Sequence, residues 1–365
     1  MRLKTYVKIF LCSMLVTFQC LLAQDSTVLK KNAILENLNA VKGQGILFGH
    51  QDDLAYGVGW AYVFGESDVK RVSGDYPALF GWELGGLELD HIHNLDSVPF
   101  ETMQNLAVLG DEMGGINSFS WHPYAPVTHE SSWDTNAIIV KHIIPGGKNH
   151  EAFKRQLDKV ATFFNSLKDK KGQHIPFIFR PWHEMDGGWF WWGSKQSTPE
   201  EFKQLFAFTV NYLRVEKGLG QMLVAYSPDR NFNSVETYLQ WYPGDQYVDI
   251  LGVDNYSDLK KGGSTEAAIR KLHIVIETAN KKGKLSAFTE TGLENVTEED
   301  WYTSKLGKLL ADPIIAKEIS YVMVWRNDGK VHYFFPYPGH KAAKDAEQFL
   351  ADPNILLLEA YKRMK

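Results

Sequence analysis

Cysteine is nearly missing from this chain: 365 residues hold two, Cys12 and Cys20. Both lie in an N-terminal stretch with a character of its own. Arg2, Lys4 and Lys8 precede an apolar run from Ile9 to Leu22, and Leu21-Leu22-Ala23 places a small residue before Gln24. A basic start, a short apolar stretch and a small cleavage residue make a secretory signal over residues 1–23. Its removal would leave a chain over 24–365 without cysteine, which excludes disulfides, thiolate metal sites and cysteine nucleophiles together. Lipid attachment at Cys20 is the competing route, but Gln19 stands where such signals want a small residue. The run is too short and ends too abruptly for a membrane span. Export across the inner membrane is therefore expected, to the periplasm first, with the cell surface or the exterior left open.

An excess of positive charge is also missing. The formal net charge is −5, and losing three basic residues and no acidic one with residues 1–23 takes it to −8. A mildly acidic protein suits neither nucleic acid nor anionic membranes, whereas a neutral polysaccharide would not object. Low-complexity segments, internal repeats and Pro/Ser/Thr-rich linkers are lacking too, so no appended binding module is expected. What the chain has in plenty is aromatic residues, 13% of the total. One large globular α/β domain fits that length and composition.

Past residue 23, apolar runs alternate with helical patterns. The candidate strands are Gly45 to Phe48, Pro77 to Trp82, Ile116 to Trp121 and Ile175 to Arg180, then Met222 to Tyr226, Ile250 to Asp254, Leu285 to Thr289 and Ser320 to Trp325. Between them, Phe153, Leu157, Val160, Phe164 and Leu167 recur at helical spacing. Thr198, Pro199 and Glu201 form a capping-box start, and a helix from about Thr265 to Lys282 stops at Gly283. Eight β-then-α units predict a (β/α)₈ TIM barrel in one domain. The alternative, an open doubly wound sheet, lacks its glycine fingerprint, since GHQDDLAYG is not G-x-G-x-x-G. In a barrel, function collects where strands end. The residues there are His50-Gln51-Asp52-Asp53, Glu83, His122, His183-Glu184, Asp229-Arg230, Asp254-Asn255-Tyr256, Glu290 and Trp325-Arg326-Asn327-Asp328.

The fourth of these junctions is the richest. HIPFIFRPWHEMDGGWFWWG, His174 to Gly193, opens as a buried strand. It then sets Arg180, His183, Glu184 and Asp186 beside glycines and Trp182, Trp189, Trp191 and Trp192. Ionisable groups among flat aromatic faces are the materials of a sugar cleft; the bland reading makes the tryptophans core and Glu184 a surface charge. Glu290, in KLSAFTETG, follows the seventh candidate strand. Strands four and seven of a barrel can aim two glutamates into one cleft, and retaining glycosidases need two carboxyl groups about 5 Å apart.

RPWHEMDGGWFWWG with a later FTETG resembles glycoside hydrolase family 26, in the clan of (β/α)₈ retaining glycosidases; GHQDDLAYG, SWHP, VDNY and VWRND extend the likeness over nearly the whole chain past residue 23. The resemblance implies β-mannanase activity, with Glu184 as acid/base and Glu290 as nucleophile. It also implies that His122 and His183 contact the sugar and that Tyr256 hydrogen-bonds the nucleophile. Trp189 and Trp325 would be aromatic walls, and Arg326 a polar partner near the centre. Mannan or galactomannan is then the substrate and a monomer the acting form. No cofactor is implied, because acid, nucleophile and water complete the cycle. Related chemistry on β-1,3-xylan or mixed-linkage β-glucan, and a non-catalytic polysaccharide-binding role, stay open.

The remaining polar motifs have plainer readings. His91 and His93 could share a strand face for a metal, but no third ligand is evident, so they read as loop or cleft-edge residues. HEMDG lacks the second histidine of a zinc protease motif. Asp52 and Asp53 read as substrate-binding or loop-capping. The inserts Gly85 to Gly115 and His122 to Gly146 are long enough to block one end of a cleft, which would decide between internal and chain-end attack.

Overall fold

The computed structural model describes residues 34–365; the expected leader over residues 1–23, with Cys12 and Cys20, lies outside the described residues. Eight apolar runs become parallel strands: β1 Ile46–Gln51, β2 Leu79–Glu83, β3 Ile116–Trp121 and β4 Phe177–Pro181, followed by β5 Met222–Tyr226, β6 Ile250–Asp254, β7 Leu285–Thr291 and β8 Ile319–Val324. Every residue in them is buried. That is the pattern of strands covered on both faces. Each pairs with the next, and β8 returns to pair with β1 from Leu47↔Tyr321 to His50↔Val324, so the barrel closes without a free edge. A short strand absent from the sequence reading, β9 Ile355–Leu356, runs parallel beside the start of β1.

Helices cover the outside: α1 Asp68–Ser73, α2 Phe100–Glu112, α3 His150–Ser166, α4 Pro199–Asn211, α5 Val235–Tyr238, α6 Thr265–Lys282, α7 Pro313–Glu318 and α8 Ala343–Leu350. The local signals hold. The apolar stripe of α3 is buried, Thr198 and Glu201 exchange both bonds of the capping box, and Gly283 closes α6 in the left-handed conformation. Among the described residues, no helix is long and apolar enough to cross a membrane.

Side chains alternate across each strand, and the inward face changes character along the barrel. Leu79, Ile178 and Ile250 belong to one apolar cluster near the strand starts. Two or four residues further on the same face come Glu83, Arg180 and Asp254, all buried. Arg180 and Asp254 lie within their strands, as the candidate strands had them, and Glu83, expected just past the second strand, is its last residue. Strand β7 departs from strict alternation. Its register with β6 shifts between Val253↔Phe288 and Asp254↔Glu290, leaving Thr289 as an extra residue. Such a bulge re-aims a side chain, and here it turns Glu290 toward the charges of β4 and β6.

Candidate active site

Past Pro181 the chain makes a sharp turn in which two non-glycine residues, Trp182 (φ 56°) and Glu184 (φ 53°), adopt the left-handed conformation. Each costs roughly 1–3 kcal/mol and persists only where the surroundings over-determine it. Indole rings supply much of that constraint. Trp182, Trp191 and Trp192 are fully buried and pack edge to face. Trp182 donates to Thr209 Oγ1 at 3.1 Å, Trp191 to the Pro123 carbonyl at 2.9 Å and Trp192 to the His183 carbonyl at 2.9 Å. Three of the four tryptophans in the motif are therefore core. Only Trp189 stands at the surface, its ring lying so close over Gly187 that a Cβ there would come 2.1 Å from Cη2.

Trp189 donates from its indole nitrogen to Glu184 Oε2 at 2.8 Å. Glu184 is otherwise short of donors and nine-tenths buried. Burial first, then the negative charges of Glu290, Asp254 and Asp229, push its carboxyl well above the ordinary range, against the pull of the indole N–H.

Glu290 has the opposite surroundings. The Tyr256 hydroxyl donates to Oε1 at 2.6 Å, and Arg180 Nη2 pairs with Oε2. The same guanidinium donates through Nη1 to Asp254 Oδ2 at 2.6 Å and to Ser227 Oγ at 3.3 Å. Burial opposes its charge, but Asp254 and Glu290 hold it firmly protonated.

A third group lies beside these. Glu83 Oε1 accepts the backbone N–H of His122 at 2.7 Å, and Oε2 meets His122 Nδ1 at 2.8 Å. Burial disfavours the charged imidazole, yet Glu83 outweighs it and raises the His122 pKa. The other nitrogen of His122 lies 2.9 Å from His183 Nε2. His183 is held well below the usual imidazole range by burial, by Arg180 and by His122. The opposite pKa shifts favour His122 as the donor across this contact and neutral His183 as the acceptor. The Trp133 ring stacks parallel on His122 at 5.3 Å between centroids.

Both glutamates open into one cavity of about 570 Å³ at the ends of the strands. His122, Trp189, Tyr256, Trp325 and Arg326 line it as well. His183 does not. It is fully buried and reaches the cavity only through His122. Arg326 is braced by Asp96 at 3.0 Å, the Tyr56 hydroxyl at 3.2 Å and Asp328 at 3.2 Å.

The sequence profile of Glycosyl hydrolase family 26 matches residues 24–302. The chain belongs to glycosyl hydrolase family 26. It is similar to a mannan endo-1,4-β-mannosidase of Bifidobacterium adolescentis, 34% identical over 282 residues, or 72% of this chain and 28% of that protein. Its fold is similar to a GH26 β-mannanase from Bacteroides ovatus (TM-score 0.86, 42% identity, 90% of this chain and 95% of that one). It is also similar to the catalytic domain of a GH26 endo-β-1,4-mannanase from Bacillus sp. JAMB-750 (TM-score 0.83, 34% identity, 92% of each chain). The match spans about a quarter to about half the length of the first curated relatives.

Several residues of this family-26 site escaped the sequence reading. Leu95 and Asp96 come from the insert after β2, and Trp133 from the insert after β3. Trp133 had a signal, an isolated tryptophan in a polar loop; Asp96 had none. Arg180 and Asp254 were noticed at their strand ends without a role, because their partners lie 74 and 110 residues away along the chain. Other sequence candidates turn out to be framework. Asp52 is fully buried and accepts from Tyr56, and Asp53 pairs with His50 at 2.8 Å. His91 and His93 are exposed on the loop that leads to Leu95 and Asp96 and do not themselves line the cavity. Among the described residues, no cluster of three metal-ligating side chains occurs.

Proposed function

We propose that this chain is a retaining β-mannanase that cleaves β-1,4-mannosidic bonds in mannan or galactomannan by double displacement. One observation carries the reading: two buried glutamates share a cavity and are supported in opposite senses. Glu184, pushed toward its neutral form, donates its proton to the leaving oxygen. Glu290, given a hydroxyl and a guanidinium, stays ionised and attacks the anomeric carbon. The bond from anomeric carbon to leaving oxygen breaks as the bond to Glu290 forms. Glu184, now ionised, then takes a proton from water, which displaces Glu290 and restores the starting state.

In this reading Tyr256 and Arg180 hold the nucleophile, and Trp189 and Trp325 offer apolar faces to the sugar rings. His122, its two ring nitrogens engaged by Glu83 and His183, borders the sugar with its ring, and Arg326 offers its guanidinium beside it. Residues 1–23 direct export and are removed, and residues 24–365 form the catalytic domain. N-terminal sequencing of the exported protein tests that part.

Proton NMR of the first product released from a β-mannan tests the chemistry and the sugar together. The expected first product is the β-anomer. An initial α-anomer would sink the double displacement. Efficient cleavage of β-1,3-xylan or mixed-linkage β-glucan with mannan untouched would sink the substrate.

A further inference from the structure

The turn that carries Glu184 is strained, so something must hold it against the opposite side of the cleft. Two ties run from it to the loop after β5. The Glu184 N–H donates to the Ser227 carbonyl at 2.9 Å. The Asp186 carboxylate takes two backbone donors from the same loop, Oδ1 from Asp229 N–H at 2.6 Å and Oδ2 from Asn231 N–H at 3.0 Å. The far side of that loop belongs to the nucleophile. Ser227 Oγ donates to Asp254 Oδ2 at 3.2 Å and accepts from Arg180, and Asp254 N–H donates to the Pro228 carbonyl at 2.9 Å. Residues 227–231 thus form a bracket between the Glu184 turn and the ion pairs around Glu290. The proposed chemistry gives Asp186 no part.

We infer that Asp186 is a positioning residue, whose carboxylate locks the Glu184 turn onto this bracket and so sets where the Glu184 carboxyl stands relative to Glu290. The inference rests on Glu184 being the acid/base. Asparagine at this position keeps the size but replaces one acceptor oxygen with an N–H₂ facing a backbone N–H, so one tie is lost and the contact becomes repulsive. The turn keeps its bond to Ser227 and one of the two side-chain ties, but the repulsive contact pushes it off the bracket, and Glu184 drifts from the leaving oxygen.

Misplacing an acid matters only when the leaving group needs a proton. A dinitrophenolate leaves unaided, whereas the anion of a weakly acidic phenol does not. The test compares kcat/KM of Asp186→Asn on two aryl β-mannobiosides, one with each kind of phenol. Because both rates come from one preparation, any unfolded fraction cancels in their ratio, and Asp186→Ala is read the same way should the first variant fold poorly. The expected result is a loss of roughly 10- to 100-fold on the weakly acidic phenol and little change on the dinitrophenyl substrate. Equal losses on both, or none on either, would overturn the inference. Glu184→Ala in the same assay keeps the two questions apart. It should show the same selective loss in stronger form, and if it instead struck both substrates alike, the acid/base reading itself would fail.

Discussion

The ends of β4 and β7 carry the same side chain in opposite surroundings. Glu184 sits in a strained turn walled by indoles, with one neutral N–H donor and negative neighbours. Glu290 sits at a strand bulge with a phenol and a guanidinium. Both are buried, so burial alone does not distinguish them. The difference lies in who donates: a cation and a hydroxyl face one carboxylate, while a single indole N–H faces the other. Nor are the two independent, since the charge on Glu290 is among the causes that keep Glu184 neutral.

The largest way to break this asymmetry is to remove either member. Glu290→Gln should lower kcat by about 10⁵- to 10⁶-fold on every substrate, the scale of losing a nucleophile. Glu184→Gln should cost about 10²- to 10⁴-fold on mannan and far less on a dinitrophenyl mannobioside. Matching losses across all substrates for both variants would remove the distinction between acid and nucleophile.

The next largest change is Arg180→Met, which strands two buried carboxylates without their cation. Denaturant unfolding should show a loss of about 3–5 kcal/mol, and unchanged stability would mean that the guanidinium is not the anchor described. Smaller effects come from the single donors. Tyr256→Phe removes one bond to a charged oxygen, worth about 1.5–3 kcal/mol, so kcat should fall roughly tenfold to a hundredfold with the nucleophile step limiting. Trp189→Phe acts on the other glutamate. Its N–H favours the ionised form of Glu184, so its loss should raise the Glu184 pKa and move the alkaline limb of kcat/KM to higher pH. A downward move would reverse the sign assigned to that bond.

The barrel was legible because its strands are continuous apolar runs. The third, fifth and sixth began and ended where expected. The first ran on through His50 and Gln51, since a barrel mouth buries polar residues that a hydrophobic pattern treats as an ending. Glu184 and Glu290 could be picked out because each is a carboxyl at a strand end. The bulge at Thr289 could not, since it appears only in the register with β6. The fate of the tryptophans was likewise hidden. Spacing does not say that Trp182, Trp191 and Trp192 turn inward and Trp189 outward, because a tight turn has no periodicity to follow. His183 was expected at the sugar but stands behind His122, a choice made by Glu83 from another strand.

The most direct measurement is a carbon-13 NMR titration of the Glu184 carboxyl, in the wild type and in Glu290→Gln. Glu184 should titrate well above an ordinary glutamate in the wild type. It should fall when the neighbouring charge is removed, yet remain elevated because burial is the larger cause. An ordinary value in the wild type, or a value indifferent to the loss of Glu290, would contradict the picture of two glutamates sharing one cleft in opposite states.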